Sequence, residues 1–234
     1  SSNRTEIYMM NSDGSGQERV TNNRYRKYNL AWSPDGSKLV FSAEPDNNLD
    51  IYTINSNGTN LLRLTYDDGQ DSNPTWSPDG TKIIFKSERD CEDCGYYIMN
   101  SDGTQITSLG SVLKQGDFSP RYSPDGTKIT FARKPSENED LEIFVMNSDG
   151  SQRTQLTDNE VRDSEPHWSP DGQFIVFSQS HAYSNNNSIS NIFTIRTDGS
   201  SVTALTAQQN KGLIARDWGT YWPTPTPIPT YTPI

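Results

Sequence analysis

The pentapeptide Trp-Ser-Pro-Asp-Gly stands at residues 32–36, 76–80 and 168–172, with Tyr-Ser-Pro-Asp-Gly at 122–126. Recurrence with a period of ~45 residues constrains the fold more than any other property, because each repeat is one supersecondary unit stacked on its copies. A second phrase interleaves with the first: Ile-Tyr-Met-Met-Asn-Ser-Asp-Gly at 7–14, with variants at 51–58, 96–103, 143–150 and 192–199. A weaker echo follows each of these: Val20-Thr21, Leu64-Thr65, Ser108-Leu109, Leu156-Thr157 and Leu205-Thr206. One period therefore reads as four short strands. Strand A ends at the aromatic residue, B is the run 38–41, C is 51–54, and D ends at Leu-Thr.

The turn chemistry supports this division. In Ser-Pro-Asp-Gly, Pro presets φ and Gly supplies a left-handed residue, which joins A to B tightly. Asn-Ser-Asp-Gly does the same between C and D. Four antiparallel strands per repeat, arranged radially, predict an all-β propeller. Runs such as Ile83-Ile84-Phe85 and Ile143-Phe144-Val145-Met146 are apolar on both faces, as a sheet sandwiched between two others requires. Pro74, Pro120 and Pro166 lie two residues before the A-strand aromatic. Proline fits there if A is an edge strand lining a central channel.

The phrases Asn-Pro-Thr-Trp-Ser-Pro-Asp-Gly-Thr-Lys-Ile-Ile-Phe at 73–85 and Glu-Ile-Phe-Val-Met-Asn-Ser-Asp-Gly at 142–150 resemble the repeats of TolB-type β-propellers, distant relatives of WD-type repeats. The resemblance covers residues 6 to about 222 and implies a binding module. TolB itself binds a peptidoglycan-associated lipoprotein, but no motif of that contact recurs here, so the resemblance carries over no binding residue. The chain opens on C and D strands and closes on an A-like segment, Ile214-Ala215-Arg216-Asp217-Trp218. Five blades closed by pairing of the N- and C-terminal strands are therefore expected, with a six-bladed, N-terminally truncated propeller as the alternative. The domain spans residues 1–222. The alternating Thr-Pro stretch over 223–234 reads as a stiff linker or tail, of a kind that joins extracellular modules.

Antiparallel order puts the A–B and C–D turns on one face of the ring and the B–C and D–A loops on the other. From the C–D glycine to the next A–B glycine (Gly14 to Gly36, 58 to 80, 103 to 126, 150 to 172) the steps are 22, 22, 23 and 22 residues. From the A–B glycine to the next C–D glycine (36 to 58, 80 to 103, 126 to 150, 172 to 199) they are 22, 23, 24 and 27. Length variation sits in the B–C segments, and irregular loops on a rigid scaffold are where binding usually resides. Asp71, Asp117 and Asp163 each precede the A-strand aromatic by five residues, with Lys27 and Leu213 in the other copies. They are candidate ligand-binding residues at the channel mouth, with structural hydrogen bonding as the competing role. The loops of this face are acid-rich, and uncompensated carboxylates there would attract a basic partner in a salt-dependent manner.

A net charge of −10 and the lack of any basic stripe argue against nucleic acid. No apolar run reaches the length of a membrane span, and no leader is recognisable, as in a cytosolic or already processed chain. Cys91 and Cys94 are the only cysteines. They cannot complete a zinc site, and Glu92 and Asp93 oppose thiolate formation, so a local disulfide in an oxidising compartment is expected. No cofactor is expected. Asp46-Asn47-Asn48-Leu49-Asp50 alternates oxygen ligands like a calcium loop, but Ile51 replaces the turn glycine and no Glu closes it. Sequons begin at Asn3, Asn57 and Asn186, a number that a chain rich in Asn, Ser and Thr produces by chance. With two histidines, His167 and His181, and no nucleophile elbow, catalysis has little to work with. The reading is a non-catalytic binding or scaffold module of a secreted or cell-surface bacterial protein, or alternatively a periplasmic one, recognising a protein or a glycan. The rival is a glycoside hydrolase or lyase with carboxylates at the channel mouth.

Overall fold

The computed structural model describes residues 5–89, 95–110, 112–113, 116–136, 139–183 and 187–206. An N-terminal pair, β1 (Tyr8–Met9) and β2 (Glu18–Arg19), is followed by four full blades. The first is β3 (Arg26–Trp32), β4 (Lys38–Glu44), β5 (Asp50–Asn55) and β6 (Leu62–Arg63). The second is β7 (Asp71–Trp76), β8 (Lys82–Ser87), β9 (Gly95–Asn100) and β10 (Thr107–Ser108). The third is β11 (Asp117–Tyr122), β12 (Lys128–Arg133), β13 (Glu142–Asn147) and β14 (Thr154–Gln155). The fourth is β15 (Arg162–Trp168), β16 (Phe174–Tyr183), β17 (Asn187–Arg196) and β18 (Thr203–Ala204). Each blade is a four-stranded antiparallel sheet in sequence order, as the turn pattern predicts. Among the described residues the N-terminal pair supplies only the C and D strands of a further blade.

The core lies between blades. Phe41, Phe85, Phe131 and Phe177 occupy one slot in the middle of strand B, and all are fully buried. Each faces its register partner on strand C (Tyr52, Tyr97, Phe144 and Phe193), with ring centroids 6.0, 6.0, 5.6 and 5.8 Å apart. Aromatic pairs at this separation add to the area they bury. Apolar residues from the opposite face of the preceding blade complete each layer: Val40 and Ile51 pack with Trp76, Phe85 and Met99, and Ala132, Ile143 and Val145 with Trp168, Ile175 and Phe177.

Strand A is the inner edge, and each copy carries a two-residue bulge where its register with strand B breaks. Pro74, Pro120 and Pro166 sit in these bulges, where no ladder hydrogen bond is lost. The A-strand aromatic then closes the junction. Trp76 Nε1 donates to Ala31 O at 3.3 Å, and Trp168 Nε1 donates to Arg121 O at 3.1 Å, each reaching strand A of the preceding blade.

Candidate functional site

The three aspartates singled out by the repeat occupy equivalent places in separate junctions, and the structure does not bring them together. All are buried, and none lines the channel. Arg89 Nη2 donates to both oxygens of Asp71 at 3.2 and 3.0 Å. Arg133 grips Asp117 through Nε and through Nη2, the latter at 2.9 Å. Asp163 has no such cation among the described residues; it accepts from Asn159 Nδ2 at 2.9 Å and Gln179 Nε2 at 3.1 Å. Lys27, in the same slot, donates to Glu6 Oε2 at 3.2 Å and to Thr5 O at 2.8 Å. The expectation of uncompensated carboxylates does not hold for Asp71 and Asp117, because guanidinium groups reach back from the end of strand B. They stand behind the rim and hold it.

A second acid, Glu6, Asp50 or Glu142, faces Lys27, Asp71 and Asp163 from the opening of the preceding strand C, whereas β9, before Asp117, opens on Gly95. Asp71 N donates to Leu49 O, and Asp163 N to Leu141 O, both at 2.7 Å, which sets Asp71 beside Asp50 and Asp163 beside Glu142. The threonine of the Leu-Thr echo fixes the strand C acid. Thr21, Thr65 and Thr157 donate to Glu6, Asp50 and Glu142 at 2.5, 3.4 and 2.5 Å, and each accepts the N–H of the following isoleucine at 2.9 Å. Burial pushes Glu6 up, but the hydrogen bonds from Thr21 and Lys27 outweigh it and leave the carboxyl below its ordinary value. Burial raises Asp50 despite the opposing charge of Arg63. Arg63 Nη2 is 2.7 Å from Asp50 Oδ2, yet that oxygen accepts no aligned hydrogen bond, so the pair is one of charge more than of geometry. This tie also takes Asp50 out of the incomplete calcium loop.

The site that could take a ligand is the channel, a cavity of ≈ 920 Å³ along the A strands. Pro34, Pro78, Pro124 and Pro170 line its turn end, and Lys86, Leu141 and Arg162 line its loop end. Between them the four bulges place Asn29, Asn73, Ser119 and Glu165 in the wall, with φ of 53°, 53°, 51° and 53°. A left-handed non-glycine residue costs roughly 1–2 kcal/mol, and such strain clusters where a chain must present groups to a ligand. The geometry is constant while the side chain varies. The wall also carries Trp32 and the half-exposed Phe118. Among the described residues its charged groups are Lys86, Arg121 and Arg162 against Glu165, with His167 beside them, so this part of the wall is cationic within an anionic chain. Sequence reasoning missed these bulge residues. Their signal was the residue before the A-strand proline in Asn73-Pro74, Ser119-Pro120 and Glu165-Pro166.

The turn face is consumed by folding. Asp35 Oδ1 accepts Ser33 Oγ at 2.6 Å and Ser37 N at 3.0 Å, and these bonds lower its carboxyl to about 2. Asp79, Asp125 and Asp171 repeat the arrangement. A Cβ on Gly58 would meet Val20 O at 2.7 Å, so the C–D turn needs glycine for contact as well as for its φ of 80°. Cys91 and Cys94, Leu213, the 214–218 segment and the 223–234 tail lie outside the described residues. Among the described residues, no group of three or more His, Cys, Asp or Glu is placed to hold a metal ion, and no helix is long and apolar enough to cross a membrane.

With this geometry in place, the TolB beta propeller domain family matches residues 1–117 and again 110–216. The chain belongs to that family. Among solved structures, it is similar to a putative TolB from Agrobacterium tumefaciens, with 25% identity and a TM-score of 0.71 over 86% of this chain and 73% of that one. TolB from Acinetobacter baumannii matches with 20% identity and a TM-score of 0.59, over 87% of this chain and 60% of that one. An oligogalacturonate lyase in complex with manganese matches with 15% identity and a TM-score of 0.61, over 85% and 58%. The last two likenesses are of fold alone. Among curated proteins, none matches the chain.

Proposed function

We propose that this TolB-family propeller is a non-catalytic, protein-binding scaffold that receives part of its partner in the central channel from the loop face. The observation that carries the reading is the ring of left-handed residues, Asn29, Asn73, Ser119 and Glu165, held around a cavity of ≈ 920 Å³. A rigid wall with a variable polar residue at each fixed position suits recognition. In this reading Asp71, Asp117 and Asp163 act from behind, by holding the loops that frame the mouth. The cationic wall favours an acidic or carboxylate-bearing segment over the basic partner that composition suggested. An extracytoplasmic location, in the periplasm or at the cell surface, accords with the disulfide expected of Cys91 and Cys94 and with the spacer-like Thr-Pro composition of 223–234.

Ring closure is part of this proposal. Trp76 and Trp168 are 7% and 8% exposed, whereas Trp32 is 50% exposed. Only Trp32 has no complete blade before it among the described residues. We infer that residues 214–218 fill the missing innermost position and make five blades. Additional blades upstream would give six, and the mass of an intact natural chain separates the two.

The test is capture from a native envelope extract, followed by mass spectrometry. The captured partner should be lost with a Phe118→Ala/Arg162→Ala channel variant and retained with Asp149→Ala on the turn face. Retention by the channel variant and loss with the turn variant contradicts the reading. Sugar hydrolysis or elimination by the same sample, abolished by Asp117→Asn, would support the enzymatic alternative.

A further inference from the structure

The charged row at the rim is neutralised differently at successive junctions. Where the N-terminal pair meets the first blade, Lys27 faces Glu6. Between the first and second blades, Arg63 and Arg89 serve Asp50 and Asp71. At the opening of β11, Arg133 serves Asp117. Between the third and fourth blades, Glu142 and Asp163 meet side chain to side chain, and among the described residues no cation is bonded to either. Both are buried, at 2% and 0% exposure.

We propose that a single shared proton takes the place of the missing cation at the Glu142–Asp163 junction, which makes this seam the pH-sensitive joint of the propeller. Among the described residues, the donors to the pair are all neutral. Glu142 accepts from Thr157 Oγ1 and from Asn159 N at 3.2 Å; Asp163 accepts from Asn159 Nδ2 and Gln179 Nε2. Arg133 is the register partner of Glu142 on β12, but its guanidinium is committed to Asp117. Arg162 and Glu165, on β15, line the channel. Asp158, in the loop before β15, adds a further negative charge. Two carboxylates in contact cannot both ionise in a site that excludes water, so one holds the proton and donates it to the other. Burial accordingly pushes Glu142 up to about 7, and it raises Asp163 as well.

The sign follows from linkage. A carboxyl raised in the folded state binds its proton more tightly there than in the unfolded chain, whose ordinary Glu value is 4.5. Its stabilising contribution is complete below that value and is lost as pH rises through about 7. Leu141, Arg162 and Ser164, next in sequence to the pair, line the channel, so loosening this seam moves part of the channel wall. That consequence for binding rests on the function proposed above; the titration itself does not.

The register supplies a decisive variant. Gln179 stands opposite Asp163 as Arg133 stands opposite Asp117, so Gln179→Arg transplants the neighbouring latch. Melting of the full chain should fall by about 5 °C or more from mildly acidic to mildly alkaline pH in the wild type. In Glu142→Gln, which keeps the shape of the protonated acid, and in Gln179→Arg, most of that fall should vanish. Carboxyl carbon NMR should show one group of the pair titrating near neutrality. Identical pH profiles in all three proteins, or ordinary titration of both carboxyls, overturns the proposal. Failure of partner capture with an intact pH profile counts only against the binding function.

Discussion

The turn face and the loop face are made by the same repeats, yet they solve their problems differently. On the turn face, Asp35, Asp79, Asp125 and Asp171 cap the backbone through the same serine and the same N–H, copy after copy. On the loop face, the equivalent Lys27, Asp71, Asp117 and Asp163 are met by Glu6, Arg89, Arg133 and the neutral amides of Asn159 and Gln179. A tight turn has one good geometry, so its residues cannot drift without loss. Sealing a row of charge against the next blade has several solutions of similar energy, so the rim is free to vary. This difference is why the loop face, with the channel it frames, is the place to look for specificity.

The comparison can be broken first at the inner edge. Trp76→Ala should cost roughly 3–5 kcal/mol in denaturant unfolding, as the loss of a large buried side chain. Trp32→Ala should cost a similar amount if residues 214–218 close the ring over it, and far less if they do not. Next comes the rim. Arg133→Ala leaves Asp117 buried without its guanidinium and should cost about 3 kcal/mol at neutral pH, relieved as acid protonates the aspartate. Within the turn face, Gly58→Ala should exceed Gly36→Ala. Both carry positive φ, worth roughly 1 kcal/mol, but only the Gly58 Cβ runs into backbone, at Val20 O. Smallest is Asp79→Ala, an exposed cap whose loss should shift the unfolding midpoint slightly and leave partner capture unchanged.

The parts of this architecture that were legible in the sequence are those set by local physics. Ser-Pro-Asp-Gly and Asn-Ser-Asp-Gly announce their turns. Phe41, Phe85, Phe131 and Phe177 recur because each strand B meets the same neighbours. The rim was not legible, because its partners are chosen across a strand or a blade junction. Arg89 lies 18 residues beyond Asp71, and Arg133 lies 16 beyond Asp117. Nothing in the chain near Asp163 announces that Gln179 occupies the place of an arginine. The bulge ring was half visible. Pro74, Pro120 and Pro166 marked strand A as an edge, but the left-handed residue before each is a product of register with strand B, and Asn29 has Leu30 after it instead of proline.

The central claim is that the channel and its loop-face mouth hold the partner while the turn face only folds. Hydrogen exchange on the complex with the captured partner tests it most directly. The account predicts new protection over 72–74, 117–121 and 162–166, with the Ser-Pro-Asp-Gly turns unchanged. Protection confined to residues 33–37, 77–81, 123–127 and 169–173 would contradict it.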